Sequence, residues 1–280
     1  MQRSLLLLLL LCGMALCQAC KQDPNSQQPG APAPASPAGK TQASPTASPL
    51  QLGGQWIDMD FCSRANQYGS VLGAMNYAHK PYCFAFEVNP ERPDSVLCYN
   101  GIDSFYLHTK YIGDTLLLLN ARPGKHLILL YDSQGDKSIT MFDNTGENSQ
   151  MDRFVKSKAN ARDGIAAFRT ALNHNVLGGY MTPVGRNVSP QLMFTPGGLV
   201  QGGGLGEYDR YELCIAGDCF VAGDRTDVVT LINRRKPNSA KMFGFRYSAQ
   251  NDTLTIYHLL GKKGTQTLGG VAYRFLHKEQ

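Results

Sequence analysis

The sequence predicts a mainly β body: an antiparallel meander forming barrels or packed sheets, with one linking helix and an internal duplication. Three observations predict it. Short apolar runs follow one another, among them CFAFEV, SVLCY, FYLHTKY, TLLLLN, HLILLYD and SITMFD, and from 94 to 143 they are spaced as hairpins about ten residues apart. Turn residues punctuate them: Asn89-Pro90, Asn100-Gly101, Gly113-Asp114, Pro123-Gly124 and Gly135-Asp136. No helical stretch stands between these runs, which argues against a parallel βαβ sheet. The chain has 280 residues, 42% hydrophobic and 18% charged, too apolar for a wholly disordered protein. Its formal charge of +5 is too small to argue for nucleic acid.

The N-terminus reads as an export signal over residues 1–19. Arg3 supplies a positive end, and Leu5 to Leu11 form an apolar run too short for a membrane span. Ala19 precedes Cys20 at the foot of that run, and Lys21 follows. A small residue before such a cysteine resembles the cleavage and lipidation site of bacterial envelope lipoproteins. The resemblance implies a diacylglycerol on the Cys20 sulfur and an acyl chain on its amine, hence a lipid bilayer as partner. Cys17 stands where that family usually has Leu. Because Lys21 is not Asp, the resemblance favours the outer membrane. Ordinary cleavage after Ala19, releasing a soluble protein, is the alternative.

Residues 20–50 read as a disordered tether. Seven of the fifteen prolines fall between 21 and 49, among Ala, Ser, Gln and Thr. Such a segment cannot bury enough surface to offset its ordering entropy.

The body then divides into a β half over 51–148, a linking helical segment over 149–176 and a second β half over 177–280. The alternation in WIDMDF predicts a strand with Ile57, Met59 and Phe61 on one face and Asp58 and Asp60 on the other. Phe154, Ala161, Ile165, Phe168 and Leu172 recur at roughly helical spacing, predicting early helical turns and a firmer helix over 161–173. Gly164 weakens a helix interior, and Gly178-Gly179 can end it. Strands resume with LMF, YELCI, CFVAG, DVVTLIN, KMFGFRYS, TLTIYHLL and VAYRFLH.

The halves echo each other. LGGQW at 52–56 matches LGGYM at 177–181, and FYLHTKYIGDTLLLL at 105–119 resembles FGFRYSAQNDTLTIY at 243–257. Duplication accounts for both, although hairpins reuse the same turn chemistry. A first strand carrying Gly54-x-Trp56, a meander, and Arg274 in AYRFLH also resemble the lipocalin-like (calycin) barrels. In that family an arginine of the last strand packs over the tryptophan, so the resemblance assigns Trp56 and Arg274 a structural plug. It further implies a cavity for a small hydrophobic ligand, with Ile57, Met59, Phe61, Phe105, Leu107, Tyr247 and Phe275 as candidate liners or ordinary core.

Five cysteines follow Cys20. Cys214 and Cys219 flank IAGD in a strand–turn–strand pattern and are expected to form a disulfide. One pair among Cys62, Cys83 and Cys98 is open. The six histidines form no HExxH, no G-x-S-x-G elbow occurs, and GGGLGEYD is followed by no GK[ST]. No cofactor, metal site or catalytic residue is predicted. His108 and His258 could share a cavity, Asp218, Asp224 and Asp227 could gather round calcium, and Glu207 or Asp209 could serve glycoside hydrolysis. The expectation is a membrane-anchored envelope lipoprotein that binds a small hydrophobic ligand. The alternatives are an assembly lipoprotein acting through an envelope protein partner, and a hydrolase with a carboxylate site.

Overall fold

The structure is a computed structural model. It describes residues 49–76, 80–146, 149–185, 191–203, 205–215, 226–248, 251–262 and 265–278. The signal segment, Cys20, nearly all of the tether, Asp218, Cys219 and Asp224 lie outside the described residues.

Two eight-stranded antiparallel barrels follow one another along the chain. The first is closed and runs β1 (Gly54–Asp58), β2 (Ala85–Val88), β3 (Ser95–Tyr99), β4 (Ser104–Ile112), β5 (Thr115–Arg122), β6 (Lys125–Tyr131), β7 (Ser138–Asp143) and β8 (Gln150–Lys156). Each strand pairs with the next, and β8 returns to β1 with Trp56 opposite Lys156. Inward positions alternate with outward ones, as a half-buried strand requires. The inner face carries Trp56, Phe86, Val96, Cys98, Leu107, Leu116, Leu118, Leu127, Leu129, Ile139, Met141 and Phe154, all buried in one cluster. Gly113 and Gly124 take positive φ in the β4–β5 and β5–β6 turns, where a Cβ would be strained.

The second barrel comprises β9 (Gly179–Pro183), β10 (Leu192–Phe194), β11 (Val200–Gly202), β12 (Arg210–Leu213), β13 (Asp227–Asn233), β14 (Lys236–Ser248), β15 (Thr253–Leu260) and β16 (Thr267–Lys278). Here β9 pairs with β16, and the sheet nearly closes between β11 and β12. A bridge between Leu199 and Arg210 and backbone hydrogen bonds Val200 N to Asp209 O (3.0 Å) and Tyr211 N to Gly198 O (2.8 Å) draw that seam together. The order of pairing repeats that of the first barrel, consistent with internal duplication.

The first of the two sequence echoes is in structural register. Gly54 and Gly179 each open the first strand of a barrel, both at positive φ (119° and 132°), and the preceding Leu52 and Leu177 are both buried. The second echo is not in register. Residues 105–119 form β4–β5, whereas 243–257 form β14–β15, the sixth and seventh strands of their barrel. Their likeness is that of two hairpins rather than of equivalent positions.

Four helices are described: α1 (Pro49–Leu52), α2 (Met59–Tyr68), α3 (Val71–Asn76) and α4 (Gly164–Val176). Two expectations are corrected here. WIDMDF is not one strand: β1 ends at Asp58, whose carboxylate accepts from Phe61 N at 2.8 Å and caps α2. An N-cap hydrogen bond satisfies an otherwise orphaned helix donor and outweighs the alternation. Residues 150–156, expected to contain helical turns, form β8, because the closing strand is needed to pair both β7 and β1. Gly164 is the first residue of α4 rather than its interior, so it costs the helix little. A Cβ there would stand 2.9 Å from the Tyr99 ring. Asp163 caps α4 through Ala166 N (2.9 Å), and Glu87 accepts from Gly164 N and from Tyr99 Oη (3.0 Å) at the same helix end, where negative charge is favoured.

Helices α2 and α4 lie in one core that joins both barrels. Phe61, Phe84 and Phe168 meet there, with Phe84 stacked on Phe168 at 4.9 Å between ring centroids. The same cluster takes in Ile57, Ala85 and Tyr99 from the first barrel and Met181, Phe194, Tyr211, Val229, Phe243, Phe245 and Phe275 from the second.

Candidate functional site

The carboxylates first considered for chemistry serve the scaffold. Asp227 is buried and accepts from Leu72 N at 2.8 Å, tying β13 to α3; burial pushes its carboxyl above the ordinary range. Asp209 binds Arg234 at 3.0 Å, and Glu207 lies 3.7 Å from Lys236. His108 stands exposed on β4 and His258 on β15, in different barrels, so they share no cavity. Among the described residues no cluster of three or more His, Cys, Asp or Glu could hold a metal ion.

The seven candidate liners do not converge. Phe105 and Leu107 pack inside the first barrel. Ile57 and Phe61 are buried in the core that joins the barrels, and Met59 packs against it. Phe275 is buried in the second barrel beside Tyr273, their rings stacked at 6.2 Å. Tyr247 lines a separate cleft.

The pairing of Trp56 with Arg274 is corrected. Trp56 fills the first barrel and donates from Nε1 to Leu52 O at 2.7 Å, while Arg274 stands exposed on β16 of the second. The cation over Trp56 is Lys156, 5.9 Å from the ring, contributed by the last strand of the same barrel. Gly54 makes room for it, since a Cβ there would stand 2.8 Å from Lys156 Cε. The plug is therefore built within one barrel, with lysine in place of arginine. In the second barrel Met181 faces His277, and a Cβ on Gly179 would stand 2.6 Å from His277 Nε2.

Cys62, Cys83 and Cys98 are buried free thiols. Cys83 and Cys98 lie together inside the first barrel, where the hydrogen bond to Cys98 first and burial second push the Cys83 thiol up; burial first, and the Asp58 charge second, push up that of Cys62. Cys214 is not among the free thiols, and its expected partner lies outside the described residues.

Two sites have the geometry to receive something. A cleft of about 180 Å³ opens where α2 and α4 end against the second barrel, lined by Asn66, Gly69, His174, Asn175, Gly178, Tyr247 and His277 among others. Tyr247 Oη donates to Asp252, whose carboxylate lies 3.8 Å from His277 Nδ1, and His277 Nε2 lies 3.3 Å from Gly178 O. At 3.8 Å the Asp252–His277 pair is too far apart for a hydrogen bond, so these groups form a polar wall of the cleft rather than a continuous relay. Gly69 closes α2 in the left-handed conformation, with its Cα edge against Tyr247. The second site is a wider groove of about 380 Å³ beside β16 where β9 ends against it, lined by Pro183, Val184 and residues 271–275.

Sequence reading missed a third arrangement. Asp58 and Asp152 are both buried at the end of the first barrel that α2 covers, with Arg64 Nη2 3.3 Å from Asp152 Oδ1. Asp58 Oδ2 and Arg64 Nε lack hydrogen-bond partners. Burial first, and the Asp152 charge second, hold the Asp58 carboxyl well above the usual range. The Asp-x-x-Phe spacing of a helix cap was the available signal.

These features define a double β-barrel of calycin-like type, an architecture compatible with a ligand-binding cavity. Comparison with protein-family models, curated proteins and solved structures returns no match.

Proposed function

We propose that the protein is an envelope lipoprotein, moored through acyl chains on Cys20, whose double barrel binds a small hydrophobic ligand rather than catalysing a reaction. The observation that carries the binding reading is the β9–β16 groove, where Val184 and Val271 are about half exposed beside Tyr273 and Phe275. Burial of apolar ligand surface there would drive association. The first barrel's interior is occupied by Trp56, Phe86 and Phe154, so the groove is the better seat. The Ala19-Cys20 site supports the anchor, and the outer membrane is the favoured location. Oxidative export would also suit a Cys214–Cys219 bridge.

The packed interiors favour a second reading, an assembly lipoprotein acting through protein contacts. Native mass spectrometry of the protein purified from its own membranes separates the two. The ligand reading expects an acylated mature mass beginning at Cys20 plus a small retained mass that Val271→Asp abolishes. A retained protein partner with no small mass supports the second reading. An unacylated mass overturns the anchor.

A further inference from the structure

The three buried free thiols among the described residues fall into two places. Cys62 lies on α2 in the core that joins the barrels, whereas Cys83 and Cys98 belong to the separate core inside the first barrel. Cys98 sits on the inner face of β3, opposite Phe86 of β2 on one side and Phe105 of β4 on the other. Cys83 stands two residues before β2, where the chain bends into that barrel. Tyr82 holds the bend: its Oη donates to Ala121 O at 2.6 Å, and its ring meets that of Phe105 edge-on at 5.9 Å. Phe84 N then donates to Tyr99 O at 2.8 Å. Cys83 and Cys98 flank that hydrogen bond, 1% and 0% exposed, with their side chains within hydrogen-bonding reach of each other.

Neighbouring strands run about 4.8 Å apart, within the ~4.4–6.8 Å between Cα atoms that a disulfide accepts. Cys83 is not a ladder partner of Cys98. The ladder ends at Ala85 opposite Tyr99, and the bend beyond it turns Cys83 toward its neighbour on β3. We propose that Cys83 and Cys98 form a disulfide when the chain folds in the presence of a disulfide donor, and that Cys62 stays a free thiol. One thiolate of the pair attacks the donor and releases one donor thiol. The other thiolate attacks the mixed disulfide at the protein sulfur and releases the second. The two cysteines lose two electrons and two protons, and the donor disulfide leaves as two thiols. In the closed barrel neither sulfur can be reached, and the Cys83 thiol holds its proton. Exchange therefore belongs to the open chain, and closure then shields the bond from reductants. The bridge encloses β2 and β3, so it staples a hairpin that is local in sequence.

The bridge rests on neither the groove ligand nor the acyl anchor; only the supply of a donor in the cell rests on the export reading, and the test separates the two. The full chain is reduced in guanidinium, and the denaturant is removed slowly with oxidised and reduced glutathione, or with reduced glutathione alone. Remaining thiols are alkylated in fresh guanidinium and the peptides are weighed. The expected product links the peptides carrying Cys83 and Cys98, two hydrogens lighter, and leaves Cys62 alkylated. Alkylated or glutathione-bearing Cys83 and Cys98 overturn the proposal, and so does a link from either to Cys62. Stability gives a second readout. Oxidation should lower the unfolding equilibrium constant of the parent by roughly a hundredfold through this bridge. Cys98→Ala should lose that gain while keeping any that another bridge supplies, and Cys62→Ala should retain it. An equal gain in the parent and in Cys98→Ala overturns the proposal. The protein isolated from its own cells and alkylated at lysis tests the export reading. A linked pair there supports both; a free pair there beside a linked pair on refolding overturns the export reading and leaves the bridge standing.

Discussion

Asp58 carries two opposed demands: its carboxylate caps α2, yet it is buried beside Asp152. Because its folded-state pKa is raised above the unfolded value, the folded state binds the extra proton. Stability is therefore fully present below the unfolded pKa and falls as pH rises toward the folded pKa. Asp58→Asn keeps a capping side chain and removes the ionisation. The variant should match the parent in melting temperature near pH 4 and exceed it at neutral pH; parallel melting curves across that range would contradict the assignment. Gly69→Ala tests another residue-scale constraint. Its φ of 57° and the closeness of the Tyr247 ring both oppose a methyl group. A loss of about 1–3 kcal/mol in denaturant unfolding is expected. Phe245 and Phe275 are each 1% exposed, and replacing either with Ala should cost about 3–5 kcal/mol by the same measurement.

At the scale of elements, the last strand of each barrel sends a side chain over the glycine that opens the first: Lys156 over Gly54, His277 over Gly179. The contrast between Lys156 and Arg274 is testable. Lys156→Ala should lower stability by about 1 kcal/mol, through loss of its contact with Trp56. Arg274→Ala, at an exposed position, should stay within about 0.5 kcal/mol. Equal losses would return Arg274 to the plug. The two elements misread from sequence, α2 and β8, fail for one reason. A short segment's periodicity is ambiguous, and a capping bond in one case and two strand neighbours in the other decided its state.

For the whole molecule, α2 and α4 provide the core through which two meanders become one folded body. The first barrel closes on itself and the second nearly does, which removes most of the free edges that an open meander would expose. The open spaces lie where the repetition breaks, at the groove beside β16 and at the cleft at the helix ends.

The sequence by itself determined the β class, most strands, the turns, the linking helix and the LGG equivalence of the two halves. These follow from local periodicity and from glycine's backbone freedom, which need only neighbouring residues. Tertiary structure alone decided that Trp56 meets Lys156 and that Tyr247, Asp252 and His277 converge. It also parted the predicted liners among two interiors, a shared core and a cleft. Those contacts join residues far apart in the chain, and barrel closure and strand register, rather than any local pattern, set which of them meet.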